Sequence, residues 1–203
     1  MTIACYGAGV DAGADRAVRG GMPVDRPAVL ILPGYADSGP DHWQTLWERR
    51  HGYLRVAQDD WFAPECASWV RSLEHAVLGA PAPIVLVAHS LGCILVAHWA
   101  RQGTTARVRG ALLVAPPDVD EVQHMLPEVA SFAPVPLDPL PFRAIVVAST
   151  TDPYVEPGRV RTMSEAWRAR LVDIGDAGHV NAESNLGDWP PGHRLLEELL
   201  TTS

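Results

Sequence analysis

The chain has 203 residues, enough for one domain with a substantial core and too few for two full ones. Hydrophobic residues make up 47% and charged residues 20%, a globular balance that excludes low-complexity disorder over most of the length. The formal net charge is −8 and the 16 basic residues are all arginine, with no basic run, which argues against nucleic acid or an anionic membrane surface as a main partner.

Residues 1–27 stand apart. The stretch "GAGVDAGADRAVRGGMPVDRP" has no sustained apolar period and reads as a flexible extension, with an edge strand from "TIACY" as the rival reading. The folded domain is expected over 28–203. "AVLILP" (28–33) is a buried strand ending in Pro-Gly. "DHWQTLWERRHG" (41–52) sets Trp43, Leu46 and Trp47 on a helix face, with Asp41 as N-cap and Gly52 as terminator. "YLRVAQ" (53–58) alternates like a strand. "ECASWVRSLEHAVLG" (65–79) is a helix burying Cys66, Trp69, Val70, Leu73 and Val77. "PIVLVA" is a strand, and "LGCILVAHWARQG" (91–103) is a helix apolar almost all round. Strands follow at 108–116, 142–150 and 169–174, with helices at 156–169 and 189–202. "PEVASFAPVPLDPLP" (127–141) is too proline-rich for a helix interior or central strand, so it is a long loop.

Continuous Val/Ile/Leu strands are buried on both faces, and alternation with helices implies right-handed crossovers. The expected fold is a single α/β domain, with a mostly parallel six-stranded sheet and helices on both faces. Cys5, Cys66 and Cys93 form no disulfide framework, which fits a reducing cytoplasm. No apolar stretch reaches the ~20 residues of a membrane span, and the N-terminus does not read as a signal peptide.

The segment "IVLVAHSLGCILVAH" interrupts two apolar runs with a serine. In a parallel sheet, ligands bind beyond the carboxyl ends of the strands, where Ser90 falls. A tight strand-to-helix turn has no room for side chains two positions from its apex, and Ala88 and Gly92 are small. This is the G-x-S-x-G elbow with alanine at its first glycine. It exposes the Ser90 hydroxyl at a helix N-terminus and leaves the Leu91 N–H to bind an oxyanion. The plainer alternative is a serine that caps its helix.

A serine nucleophile needs a base and an orienting acid, and in this topology the acid and then the histidine follow it in the chain. Asp152 lies just past a strand in "STTDPYV", and His179 lies in the Gly-rich loop "DIGDAGHVNAES" after the last strand. Asp118 is the reserve acid, ahead of Asp173 and Asp176. His42, His51, His75 and His98, in or beside helices, read as surface or packing residues, and His124 and His193 lie away from the pattern. His89 cannot reach back to its neighbour's hydroxyl and is a pocket candidate or a structural residue. The second oxyanion donor is expected in "LPGYADSGPDHW", with Gly34 permitting close approach and the Tyr35 N–H as first choice; an ordinary Pro-Gly turn is the alternative.

Together these residues resemble the α/β-hydrolase superfamily. More narrowly, "PGYADSGPDHWQTLWE", "VAHSLGC", "STTDPYV" and "GHVNAESNLGDWPPG" look like the retinoblastoma-binding protein 9 family of small serine hydrolases, over about Ala28 to Leu200. That resemblance implies a compact hydrolase core without a large lid and a triad of Ser90, Asp152 and His179. The expected reaction is carboxylesterase-like cleavage of small ester or amide substrates, with no metal and no cofactor. The short chain predicts a shallow pocket for short acyl groups. A catalytically silent binding protein with the same pocket is the main rival, its seven tryptophans furnishing either an aromatic surface or, by their helical spacing, core. Acyl transfer to another acceptor or perhydrolysis stays open, whereas a dehalogenase would want a carboxylate at position 90.

Overall fold

A computed structural model describes residues 26–201; the expected extension lies outside the described residues except for Arg26 and Pro27. Six strands form one wholly parallel sheet in the order β2-β1-β3-β4-β5-β6: β1 (Ala28–Leu32), β2 (Leu54–Arg55), β3 (Ile84–His89), β4 (Val108–Val114), β5 (Arg143–Ala148) and β6 (Arg170–Asp173). Because successive side chains point to opposite faces, each apolar strand feeds two cores. Leu30, Leu32, Leu86, Ala88, Leu113 and Val146 face one layer, formed by α2 (Cys66–Gly79), α3 (Leu91–Ala100) and α5 (Pro157–Ala166). Val29, Ile31, Val85, Val87, Leu112 and Val147 face the other, formed by α1 (Trp43–His51) and α6 (Pro190–Thr201). No large lid domain is present among the described residues.

Several boundaries differ from the sequence expectation. His42, not Asp41, caps α1, its Nδ1 accepting the Gln44 N–H, while Gly52 ends the helix in the left-handed region at φ 70°. The strand expected over 53–58 shrinks to two residues, because only one side of this edge strand has a partner and the register with β1 is lost after Val56 donates to Ile31 O. A single turn, α4 (Val119–Val122), follows β4, and the proline-rich segment opens with a 3₁₀ stretch, Pro127–Phe132. Trp43, Trp47, Trp69, Trp99, Trp167 and Trp189 are buried. The tryptophans therefore build the core, and the aromatic-surface reading falls.

Candidate active site

Ser90 sits between β3 and α3 with φ 53° and ψ −126°, a sparsely populated conformation for a residue with a Cβ. Neighbours hold it there. Its N–H donates to Val114 O at 2.9 Å. A Cβ on Gly92 would lie 2.5 Å from Leu32 O, and one on Gly34 would lie 2.7 Å from the Ser90 Cβ and 3.1 Å from the Leu91 N. The loop after β1 therefore interlocks with the turn, and only glycine fits at both contacts. The Ser90 side chain makes no capping bond to α3, so the plain capping reading does not describe it.

The structure brings Ser90, His179 and Asp152 together. His179 Nε2 is 2.8 Å from Ser90 Oγ, and its Nδ1 is 3.0 and 2.9 Å from the two Asp152 oxygens. Asp152 Oδ1 also accepts the Tyr154 N–H at 2.9 Å, and the carboxylate side chain is 1% exposed. A carboxylate can only accept, so His179 Nδ1 carries the proton and Nε2 presents its lone pair to the hydroxyl. The other acids are engaged elsewhere: Asp118 pairs with Arg159, Asp173 accepts the Gly175 N–H, and Asp176 accepts the Thr151 hydroxyl.

A cavity of about 320 Å³ opens beside Ser90. Val119, Val122, Leu126 and Val129, from α4 and the 3₁₀ stretch, form an apolar wall. Asp37, Asn181 and Glu183 lie among the other lining residues, none of which is an arginine. Tyr35 and Leu91 line it too, and the backbone at Gly34 approaches the Leu91 N–H. In the cavity wall His42 and His89 stand 4.7 Å apart, ring to ring, and His89 lies 5.0 Å from His179. Burial foremost, then the Arg55 and His179 charges, push His42 down to about 3. Burial foremost, then His42 and His179, push His89 well below the usual histidine range. Both are neutral at any working pH. No group of three or more His, Cys, Asp or Glu among the described residues could hold a metal ion. No described helix is long and apolar enough to cross a membrane.

Residues 29–198 match the family described as serine hydrolase. The chain belongs to the serine hydrolase family. Among solved structures, a YdeN-like hydrolase from Pectobacterium atrosepticum is similar, at 30% identity and TM-score 0.76, over 86% of this chain and 90% of that one. The ydeN gene product of B. subtilis shares the fold at 19% identity and TM-score 0.68, over 87% and 100% of the two chains. So does Est1E from Butyrivibrio proteoclasticus, solved with ferulic acid, at 14% identity and TM-score 0.68, over 87% and 91%. No curated protein sequence matches. The serine hydrolase is thus an α/β hydrolase, a single compact domain without a large lid.

Sequence reasoning missed part of this hydrolase's site. His42, set aside as a surface or packing residue, is 4% exposed and lines the cavity. Gln44, fully buried, donates to both Leu32 O and Val87 O, at the ends of β1 and β3. Trp43 contributes an N–H as well as a ring, donating to Val180 O. The available signal was three polar-capable residues in a row, "HWQ", at the start of a helix facing the sheet.

Proposed function

We propose that this serine hydrolase is a carboxylesterase-like enzyme acting on small ester or amide substrates through Ser90, His179 and Asp152, in the manner of the retinoblastoma-binding protein 9 family. The observation that carries the proposal is His179 bridging Ser90 Oγ and Asp152 at hydrogen-bond distance on the edge of a cavity. Ser90 Oγ attacks the carbonyl carbon while His179 Nε2 takes its proton. The oxygen gains a negative charge, which the Leu91 and Tyr35 N–H groups stabilise. The C–O or C–N bond breaks, and His179 returns the proton to the leaving group. Water then repeats the sequence on the acyl-serine and releases a carboxylic acid. Asp152 holds the tautomer and stabilises the imidazolium.

The apolar wall suits an uncharged acyl group, and a cavity of about 320 Å³ is at the small end for ligand sites, which favours short acyl chains. Fluorophosphonate labelling with peptide mapping, joined to hydrolysis of p-nitrophenyl esters of increasing chain length, tests the reading. Labelling should fall on Ser90. Ser90→Ala should lower kcat by about 10⁶-fold and Asp152→Asn by about 10⁴-fold. A folded wild type that neither labels nor turns over any ester or amide would favour the silent binding protein instead.

A further inference from the structure

His179 and Val180 present consecutive backbone carbonyls, and each accepts a hydrogen bond from a buried ring. His89 Nε2 is 2.9 Å from His179 O, and Trp43 Nε1 is 2.8 Å from Val180 O. A carbonyl only accepts, so His89 carries its proton on Nε2. The two rings come from different elements. His89 is the last residue of β3, next to Ser90, and Trp43 is the first of α1. They pack edge to face at 6.1 Å, and the His42 ring packs against His89 at 4.7 Å. All of this is dry: His89 is 5% exposed, Trp43 1% and Val180 0%.

The segment they hold is strained. Val180 has φ 52°, a left-handed conformation that a β-branched side chain strongly disfavours. Such a residue persists only where its surroundings over-determine it. Asp152 orients the His179 ring through Nδ1 but places no restraint on the backbone that carries it. The Gly178 and Val180 N–H groups bond locally, to the Thr151 hydroxyl and Ala177 O; the two ring donors add the ties from β3 and α1. Because His89 adjoins Ser90, its bond also ties the backbone of the base to the strand that carries the nucleophile.

We propose that His89 and Trp43 are positioning residues, a paired N–H clamp that holds the 179–180 backbone so that His179 Nε2 meets Ser90 Oγ. The proposal rests on His179 being the general base. His89 forms part of the cavity wall but neither ring touches the reacting atoms, so removing an N–H should lower turnover far more than binding.

The test uses the full chain as wild type, His89→Phe, His89→Gln and Trp43→Phe. Phenylalanine keeps a ring and deletes the donor, whereas glutamine places an amide N–H near the position of Nε2. The readouts are the rate of Ser90 labelling by a fluorophosphonate, kcat and KM on p-nitrophenyl acetate, and the thermal midpoint. A displacement of about 1 Å in a reacting group can cost 10²-fold, so His89→Phe should lose roughly 10- to 100-fold in labelling rate and kcat. KM should change much less than kcat, since phenylalanine keeps a ring in the cavity wall and the lost N–H acts on the base. His89→Gln should recover most of the loss, and Trp43→Phe should show the same defect in kcat. A folded His89→Phe that labels at the wild-type rate would overturn the clamp and leave the triad reading standing. Glutamine performing no better than phenylalanine would overturn it too. If His89→Phe does not fold, Trp43→Phe decides the question, wild-type kcat there refuting the clamp. A wild type that does not label would overturn the clamp and the triad together.

Discussion

At the scale of single residues, the site depends on backbone contacts that exclude side chains. Gly34 shows this best, because its missing Cβ leaves space for the Ser90 Cβ and the Leu91 N–H. Adding one methyl group forces the β1–α1 loop away from the turn, and with it the Tyr35 N–H. On the proposed mechanism, in which the Tyr35 N–H binds the oxyanion, Gly34→Ala should fold but lose about 10²-fold in kcat/KM. Gly158→Ala, exposed in α5 and away from the cavity, where an added Cβ meets nothing within 4 Å, is the control and should keep wild-type kinetics. The elbow was legible from "AHSLG" because its requirement is local: small residues beside the apex. The Gly34 contact was only half legible, since a Pro-Gly pair reads equally well as a plain turn, and nothing local says that the turn meets residue 90.

At the scale of elements, α1 is the least conventional helix. Its sheet-facing side carries Gln44 and Thr45 among the tryptophans, both buried. Gln44 donates to Leu32 O and Val87 O and accepts the Ser38 hydroxyl at 2.7 Å. It thereby ties together the two strand ends that carry the β1 loop and the elbow. Gln44→Leu matches the volume but deletes these bonds and leaves the buried Ser38 hydroxyl without its acceptor, which should cost about 2 kcal/mol. Urea unfolding would measure it, and a loss below about 1 kcal/mol would mean that water replaces these bonds. Apolar periodicity predicted Trp43 and Trp47 correctly but was blind to the polar residues between them, because hydrogen-bond partners 12 and 43 positions away do not register in a local period. The turn α4 escaped, and edge strand β2 was expected too long, for a related reason: both are short pieces fixed by what they pack against.

At the scale of the molecule, two global properties have measurable consequences. His42 and His89 are buried neutral, with folded pKa values depressed below the ordinary 6.5. The unfolded chain therefore binds more protons below pH ~6.5. Stability from these residues is present above that pH and lost as the pH falls, by up to about 1.4 kcal/mol per pH unit per histidine. The loss continues until His42 protonates in the folded state at about 3. Denaturant unfolding at pH 7, 6, 5 and 4 should show a shallower decline for His89→Gln than for wild type, and equal slopes would contradict this account. The second property is charge. The chain carries −8 in all, and two carboxylates line the cavity, Asp37, which pairs with Arg55, and Glu183. Esters bearing a carboxylate should have a lower kcat/KM than neutral esters of the same size, with the gap narrowing as salt screens the field. A gap that does not respond to salt would assign the discrimination to shape.

The sequence by itself determined the parallel six-stranded sheet, the elbow and the chain order of serine, acid and histidine. Those signals are local or serial: apolar runs, small residues around one serine, polar residues just past strand ends. The tertiary structure decided which groups meet. It chose among eight histidines, placed His42, read as a surface or packing residue, in the cavity wall, and built the apolar wall from a turn and a proline-rich loop. It also brought Trp43 to Val180 across 137 positions and His89 to His179 across 90. Contacts at such separations follow from how the crossovers stack helices on the two sheet faces, and no window along the chain contains both partners.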